Sequence, residues 1–233
     1  MGRLCPIVSF VSFEAALRTA LTDPQLLLAW AIVDLVSLTL LGWDLRRNNR
    51  AIAPLMKFVR ALTVLYSGPI GLAVYWYAGR RQIAQDSIWR KGFRSVAHCY
   101  SGCGAGEVVG ITLAAGILAL GTAPVIVITF GFAYLFGYAL TVGPLMQEGV
   151  GLREAVLDAL YSETPSITVM EIVAIGTDVW LAADAHMGQV LFWSSLVFSL
   201  SLGFVAAYPV NLWLISRGVK AGMQNPAELD PQV

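Results

Sequence analysis

Long apolar runs alternate along the chain with short polar breaks, and each run approaches the ~20 residues that a helix needs to cross the hydrocarbon core of a bilayer. They predict spans over 25–43, 58–78, 96–120, 124–147, 165–183 and 189–216. Two further stretches carry an apolar stripe at helical spacing with charges on the other side, the pattern of a helix lying at the membrane interface. The first covers 6–21, with Phe10, Phe13 and Leu17 on one face and Glu14 and Arg18 as an i,i+4 pair. The second covers 149–163, with Leu152, Val156, Leu157 and Leu160 set apart from Arg153, Glu154 and Asp158. The fold expected is all-α: a polytopic membrane helix bundle of about six transmembrane helices plus one or two interfacial helices. It divides into an N-terminal interfacial segment (1–24), the bundle (25–220) and a C-terminal tail (221–233).

Composition agrees with the pattern. Hydrophobic residues make up 57% of the 233 and charged residues only 13%, and the mean hydropathy is +0.69, outside the range of soluble domains. The bilayer is therefore the expected partner, joined either by further copies of the chain or by subunits of a membrane complex. The basic residues sit in short clusters beside apolar runs, the arrangement of loop anchors and not of a nucleic-acid surface. Six spans with both termini in the cytoplasm put ten of the 15 basic residues inside and leave Arg46, Arg47, Arg50, Lys57 and Arg60 outside. That exception lies wholly before the second span, which carries Gly68 and Pro69 at its middle. A broken or re-entrant second segment would move these charges to the cytoplasmic side and change the side of the N-terminus.

Chemistry concentrates at the start of the third span, in "VAHCYSGCGAGEVVG". Gly102, Gly106 and Gly110 recur every four residues, a small-residue ridge that lets a neighbouring helix approach closely. Cys99, Cys103 and Glu107 recur with the same period and form a second stripe about 100° around the helix. Cysteine is commonly a small buried hydrophobe, so two thiols alone say little. A glutamate at membrane depth is costly unless it is paired or faces a cavity. With His98 the stretch assembles the ligand types of a soft or borderline ion, copper or zinc, and Met170 is a further donor. Glu107, Glu171 and Asp34 are read as charge-balancing or proton-relay groups, and Asp178 as a continuation of such a path. Met146, Tyr208 and Asn211 are expected at a depth similar to that of Glu171. No phosphate loop, HExxH or GxSxG element is present, so no conventional enzyme class is indicated and no catalytic residue is assigned.

"AHCYSGCGAGE" and "AYPVNLWLISRGVKAGM" together resemble an uncharacterised bacterial family of integral membrane proteins, a domain of unknown function marked by HCxxGCxxGD and a terminal YPxNxWLxxxGxK. His98, Cys99, Gly102, Cys103 and Gly106 match the first motif, with Glu107 in place of aspartate. Tyr208, Pro209, Asn211, Trp213, Leu214, Gly218 and Lys220 match the second. The likeness extends from about Pro54 onward. It implies a multi-pass protein of the bacterial inner (plasma) membrane and no particular activity. Three functions stay open: handling or transport of a soft metal ion on the His-Cys-x-x-x-Cys helix, a structural or assembly role in a larger membrane complex, and membrane thiol redox chemistry. The last is disfavoured by geometry, because cysteines one turn apart on a regular helix project in parallel.

Overall fold

The computed structural model describes residues 6–182 and 184–228, and Arg3 and Cys5 lie outside them. The described residues form eight α-helices: α1 (Pro6–Thr22), α2 (Pro24–Arg47), α3 (Pro54–Ser67), α4 (Pro69–Val74), α5 (Ile88–Ile111), α6 (Thr122–Gln147), α7 (Leu152–Ala182) and α8 (Val190–Ser216). Two π-helical turns extend α4 through Tyr75–Gly79 and α5 through Thr112–Ile117. Among these, α2, α6, α7 and α8 are long and apolar enough to cross a membrane. α5 is as long but carries more polar groups, most of them buried against its neighbours.

The second expected span is not one helix. Gly68 adopts φ +55°, a conformation that favours glycine, and Pro69 restarts the chain at a first helical position, where its missing N–H costs nothing. The chain then folds back on itself. A Cβ on Gly71 would lie 2.8 Å from the Cα of Val64, although a continuous helix would hold residues seven apart about 10 Å from each other. Further along, the Arg60 guanidinium lies 5.6 Å from the centre of the Tyr75 ring. The returning limb is tied to the end of α2: Tyr75 donates to Asp44 at 2.7 Å, Arg80 donates to the same carboxylate at 3.0 Å, and the Arg81 N–H donates to Asn49 at 2.9 Å. The hairpin therefore enters and leaves at one end of the bundle.

That end gathers the basic residues. Except for Arg18, every described lysine and arginine falls there, with Arg60 two turns in, so the exception raised by an unbroken second span disappears. The C-terminal segment closes over the same end, where Arg94 donates to the Met223 carbonyl at 3.0 and 3.1 Å and to both oxygens of Asp86. Burial pushes the Asp86 carboxyl up, but its hydrogen bonds from Arg94 and the Ser87 N–H outweigh this and hold it below the usual carboxylate range.

α1 lies across the opposite end. Its Phe13 ring stacks on Trp180, Arg18 pairs with Asp184, and the Leu21 carbonyl accepts from Ser194, three contacts at one depth on α7, α8 and the turn between them. α1 and the C-terminal segment thus occupy opposite ends of the bundle. Placing both termini on one side depended on an unbroken second span and loses its support. The segment 149–163, expected as a separate interfacial helix, is from Leu152 onward the first part of α7, which continues through Pro165, with the Thr164 and Thr168 hydroxyls donating to carbonyls one turn back.

α5 is the axis of the bundle. On one face it packs antiparallel to α6 at backbone distance: a Cβ on Gly102 would lie 3.1 Å from the Gly137 Cα, and one on Gly110 would lie 2.8 Å from the Thr129 Cα. On another face Tyr100 is fully buried, edge-on to Tyr66 of α3 and Phe204 of α8.

Two outcomes follow. A Cβ on Gly106 would lie 2.3 Å from the Phe132 carbonyl oxygen, whereas one on Gly131 meets nothing within 4 Å. Gly106→Ala should therefore cost about 1–3 kcal/mol and visibly lower the detergent melting temperature, while Gly131→Ala should leave it unchanged. In a Cys5→Ser background, Arg50→Cys and Gln85→Cys should react with a membrane-impermeant thiol reagent from the same side and Gly121→Cys from the other. Labelling of the first two from opposite sides would mean that the hairpin crosses the membrane.

Candidate functional site

Ser87 caps α5 by accepting from the Arg90 N–H, and 3.6-residue periodicity then sorts the following side chains. The glycines take the α6 face. Cys99, Cys103 and Glu107 face α7, and all three are buried.

Near the basic end Cys99 belongs to a closed ring of polar groups. Cys99 donates from Sγ to Glu163 Oε2 at 3.2 Å and lies 3.6 Å from Ser166 Oγ. Lys220 donates to the same Glu163 oxygen at 2.6 Å and to Asn211 Oδ1 at 2.9 Å. Asn211 donates onward to Ser166 Oγ at 2.7 Å and to the Ala207 carbonyl at 3.0 Å. α5, α7, α8 and the segment after α8 each contribute, and every member of the ring is buried. A buried ion pair is tolerated where its remaining hydrogen-bonding capacity is met in this way.

One to two turns further along α5 the situation reverses. Glu171 comes within interaction range of Glu107 and Cys103, and the three residues are at most 2% exposed. Neither oxygen of Glu171 nor Oε1 of Glu107 has a partner at hydrogen-bond geometry. No described salt bridge supplies a cation to either carboxylate. Beyond them Asp178, which also faces Glu107 electrostatically, accepts from Ser195 at 2.6 Å.

Cavities approach this line from both ends. One of about 700 Å³ opens at the basic end and is lined by Arg60, Tyr75, Arg94, His98, Glu163 and Lys220 among others. The other, of about 640 Å³, opens at the far end and reaches Glu107, Thr129, Asp178 and His186. Between them lie Cys99, Cys103, Ser166, Ile167, Met170 and Glu171, all buried.

The residues singled out from sequence divide accordingly. Cys99, Cys103, Glu107, Glu171 and Asn211 come together along the α5–α7–α8 interior. His98 is buried on a different face, interacting with the backbone of Leu140 on α6 while its Nδ1 lacks a partner. Met170 is buried, with its Cγ 3.0 Å from where a Gly203 Cβ would stand on α8. Met146 is 46% exposed, away from the line. Asp34 is on α2, which packs against α3 and α4. Tyr208 stacks on Phe93 at 4.1 Å, Pro209 lies inside α8, and Trp213 is exposed beneath the Arg217 guanidinium. Among the described residues no group of three histidine, cysteine or acidic side chains is arranged to hold a metal ion. Sequence reasoning missed Glu163 altogether. The apolar spacing of 149–163 implied a helix at the membrane interface, and only the fold brings Lys220 to Glu163.

A buried polar line between two end cavities, built inside helices of membrane-crossing length, defines the class: an all-helical bundle of membrane type with an ionisable interior. A model of the family described as a domain of unknown function (DUF4396) matches residues 88–220, more than half of the chain, and the chain belongs to that family. The match runs from the first residue of α5 to Lys220, so α1 to α4 precede it. No curated protein and no solved structure matches the chain.

The ring makes its own prediction. Lys220→Met strands the Glu163 carboxylate and should cost about 3–5 kcal/mol, and adding Glu163→Gln should recover most of that loss. Detergent melting of both single variants and the double variant, treated as a cycle, measures the coupling. Additive losses would mean that the pair is not coupled.

Proposed function

We propose that the chain is a membrane transport protein that passes a cation, either a proton or a soft metal ion such as copper or zinc, by occupancy of the Glu107–Glu171 pair. The observation that carries this reading is the pair itself: two buried carboxylates within interaction range of each other, with no described lysine, arginine or histidine paired to either. Like charges so placed cannot both persist, and a shared proton or a bound cation removes the conflict. Cys103 beside the pair, and Cys99 one turn away, add the soft sulfur donors that favour copper or zinc over harder ions. Metal ligation would require side-chain movement that brings Cys103 and both carboxylates onto one point, and it would release the thiol proton. His98 and Met170 contribute packing, with Cys103, Glu107 and Glu171 as the occupied set. Access comes alternately from the two end cavities. The expected setting is the bacterial inner membrane with the basic end in the cytoplasm, in accord with the bias of lysine and arginine.

Reconstitution into liposomes tests the proposal in two arms, one following internal pH with a trapped dye and one following uptake of Zn(II) or Cu(I). Wild type should carry at least one of these cations faster than protein-free liposomes. Glu107→Gln and Glu171→Gln should each reduce that flux by tenfold or more while melting as wild type does. Cys103→Ser should reduce metal flux and spare proton flux. Unchanged flux in both glutamine variants, or wild-type flux no greater than the lipid background, would end the transport reading and favour an assembly role.

A further inference from the structure

The cavity at the basic end holds a cation whose charge nothing in the described structure answers. Four cationic or titratable nitrogen-bearing residues line it: Arg60, Arg94, His98 and Lys220. Arg94 is saturated, with Asp86 and the Ala78 and Met223 carbonyls as acceptors. Lys220 is held by Glu163 and Asn211. Among the described residues Arg60 has neither a carboxylate nor a carbonyl partner. Its guanidinium lies over the Tyr75 ring, and its Nη1 is buried without a hydrogen-bond partner. The Tyr75 hydroxyl is already committed to Asp44. His98, 5% exposed, lines the same cavity and carries the second unpartnered nitrogen.

The hairpin keeps Arg60 in place. A Cβ on Gly79 would lie 3.2 Å from Arg60 Nε, so the returning limb passes close against the side chain. An arginine held so and denied a protein acceptor is poised for an external one, and its planar fork suits the two oxygens of a carboxylate or phosphate. The acidic groups lining the cavity do not fill that role: Glu163 is taken by Lys220, and Glu148 and Asp158 are exposed at the rim. The same cavity is also lined by apolar side chains, Ile52, Met56, Val59, Val74 and Leu145 among them. A charged head on an apolar body satisfies both parts of such a site.

We propose that Arg60 anchors a binding site for an amphiphilic anion, a carboxylate or phosphate group carried on an apolar body, in the cavity between the re-entrant hairpin and α5. The site is separate from the carboxylate pair, and its occupancy does not depend on transport. The ligand is either a free amphiphile or the headgroup of an anionic lipid, and both are recognised by the same arginine.

Thermal melting of the purified full-length protein separates these outcomes. Octanoate should raise the melting temperature saturably, by several degrees, whereas octanol, with the same apolar body and no charge, should not. Arg60→Gln should weaken the octanoate midpoint by tenfold or more, Arg60→Lys should fall between, and Arg46→Gln, an exposed cation at the same end, should match wild type. In nanodiscs, greater stabilisation by phosphatidylglycerol than by phosphatidylcholine, lost in Arg60→Gln, would identify the lipid headgroup as the source. Octanol acting as well as octanoate, or an unshifted midpoint in Arg60→Gln, would overturn the site. If Arg60→Gln does not fold, the comparison of octanoate with octanol on wild type together with the Arg60→Lys midpoint still decides.

Discussion

Two buried carboxylates side by side that no described lysine or arginine answers cannot both stay charged, and the polar interior around Glu107 and Glu171 is set by that constraint. Removing a carboxylate from water costs several kcal/mol unless partners replace the lost hydration. At the basic end the chain supplies them: Lys220 lies on Glu163, and Asn211, Ser166 and Cys99 close the ring. At Glu107 and Glu171 it supplies no described cation, and neither oxygen of Glu171 nor Oε1 of Glu107 has a hydrogen-bond partner. The difference between two neighbouring sites on the same pair of helices, one satisfied by its partners and one without a described cation, is the basis for proposing the second as the place where a cation binds or is exchanged.

The glycine ridge makes the arrangement available. Because Gly102, Gly106 and Gly110 bring α5 against the α6 backbone, α5 can occupy the axis of the bundle and turn its polar stripe toward α7. α5 is the least lipid-like of the long helices for this reason, and its polar groups are bearable because other helices cover them. The re-entrant hairpin fills the remaining flank, with Tyr66 packed on Tyr100 and Ser101 donating to the Val59 carbonyl at 2.8 Å. It also returns the chain to the end from which it entered, and this collects nearly all the positive charge at one end.

The legible parts of the fold were those set by local periodicity. Four-residue recurrence identified both the small-residue ridge and the Cys99, Cys103, Glu107 stripe, and apolar run length placed α2, α6 and α8 within a few residues. What escaped depends on contacts distant in sequence. Residues 58–78 have the length and hydrophobicity of a span, and the fold-back rests on Gly71 meeting Val64 and on Tyr75 and Arg80 reaching Asp44. The Gly68–Pro69 step signalled a break without giving its direction. Pro165 suggested the end of one helix and the start of another, yet threonine hydroxyls and packing carry α7 through it. Glu163 ends a segment read as an interfacial helix and drew no attention, and no spacing rule links it to Lys220. His98 was grouped with the thiols for its ligand chemistry; one step along a helix turns a side chain by about 100°, and it interacts with the backbone of Leu140 on α6.

In the proposed mechanism, occupancy of the Glu107–Glu171 pair by one proton or one metal cation is the central event. Infrared difference spectroscopy of the purified protein at neutral pH observes it directly. One protonated carboxyl signal is expected in metal-free wild type. It should be removed or shifted by either Glu107→Gln or Glu171→Gln, and by a metal cation if that is the cargo. A metal-free spectrum with no protonated carboxyl, or with one that neither substitution affects, would contradict the shared occupancy on which the proposed function rests.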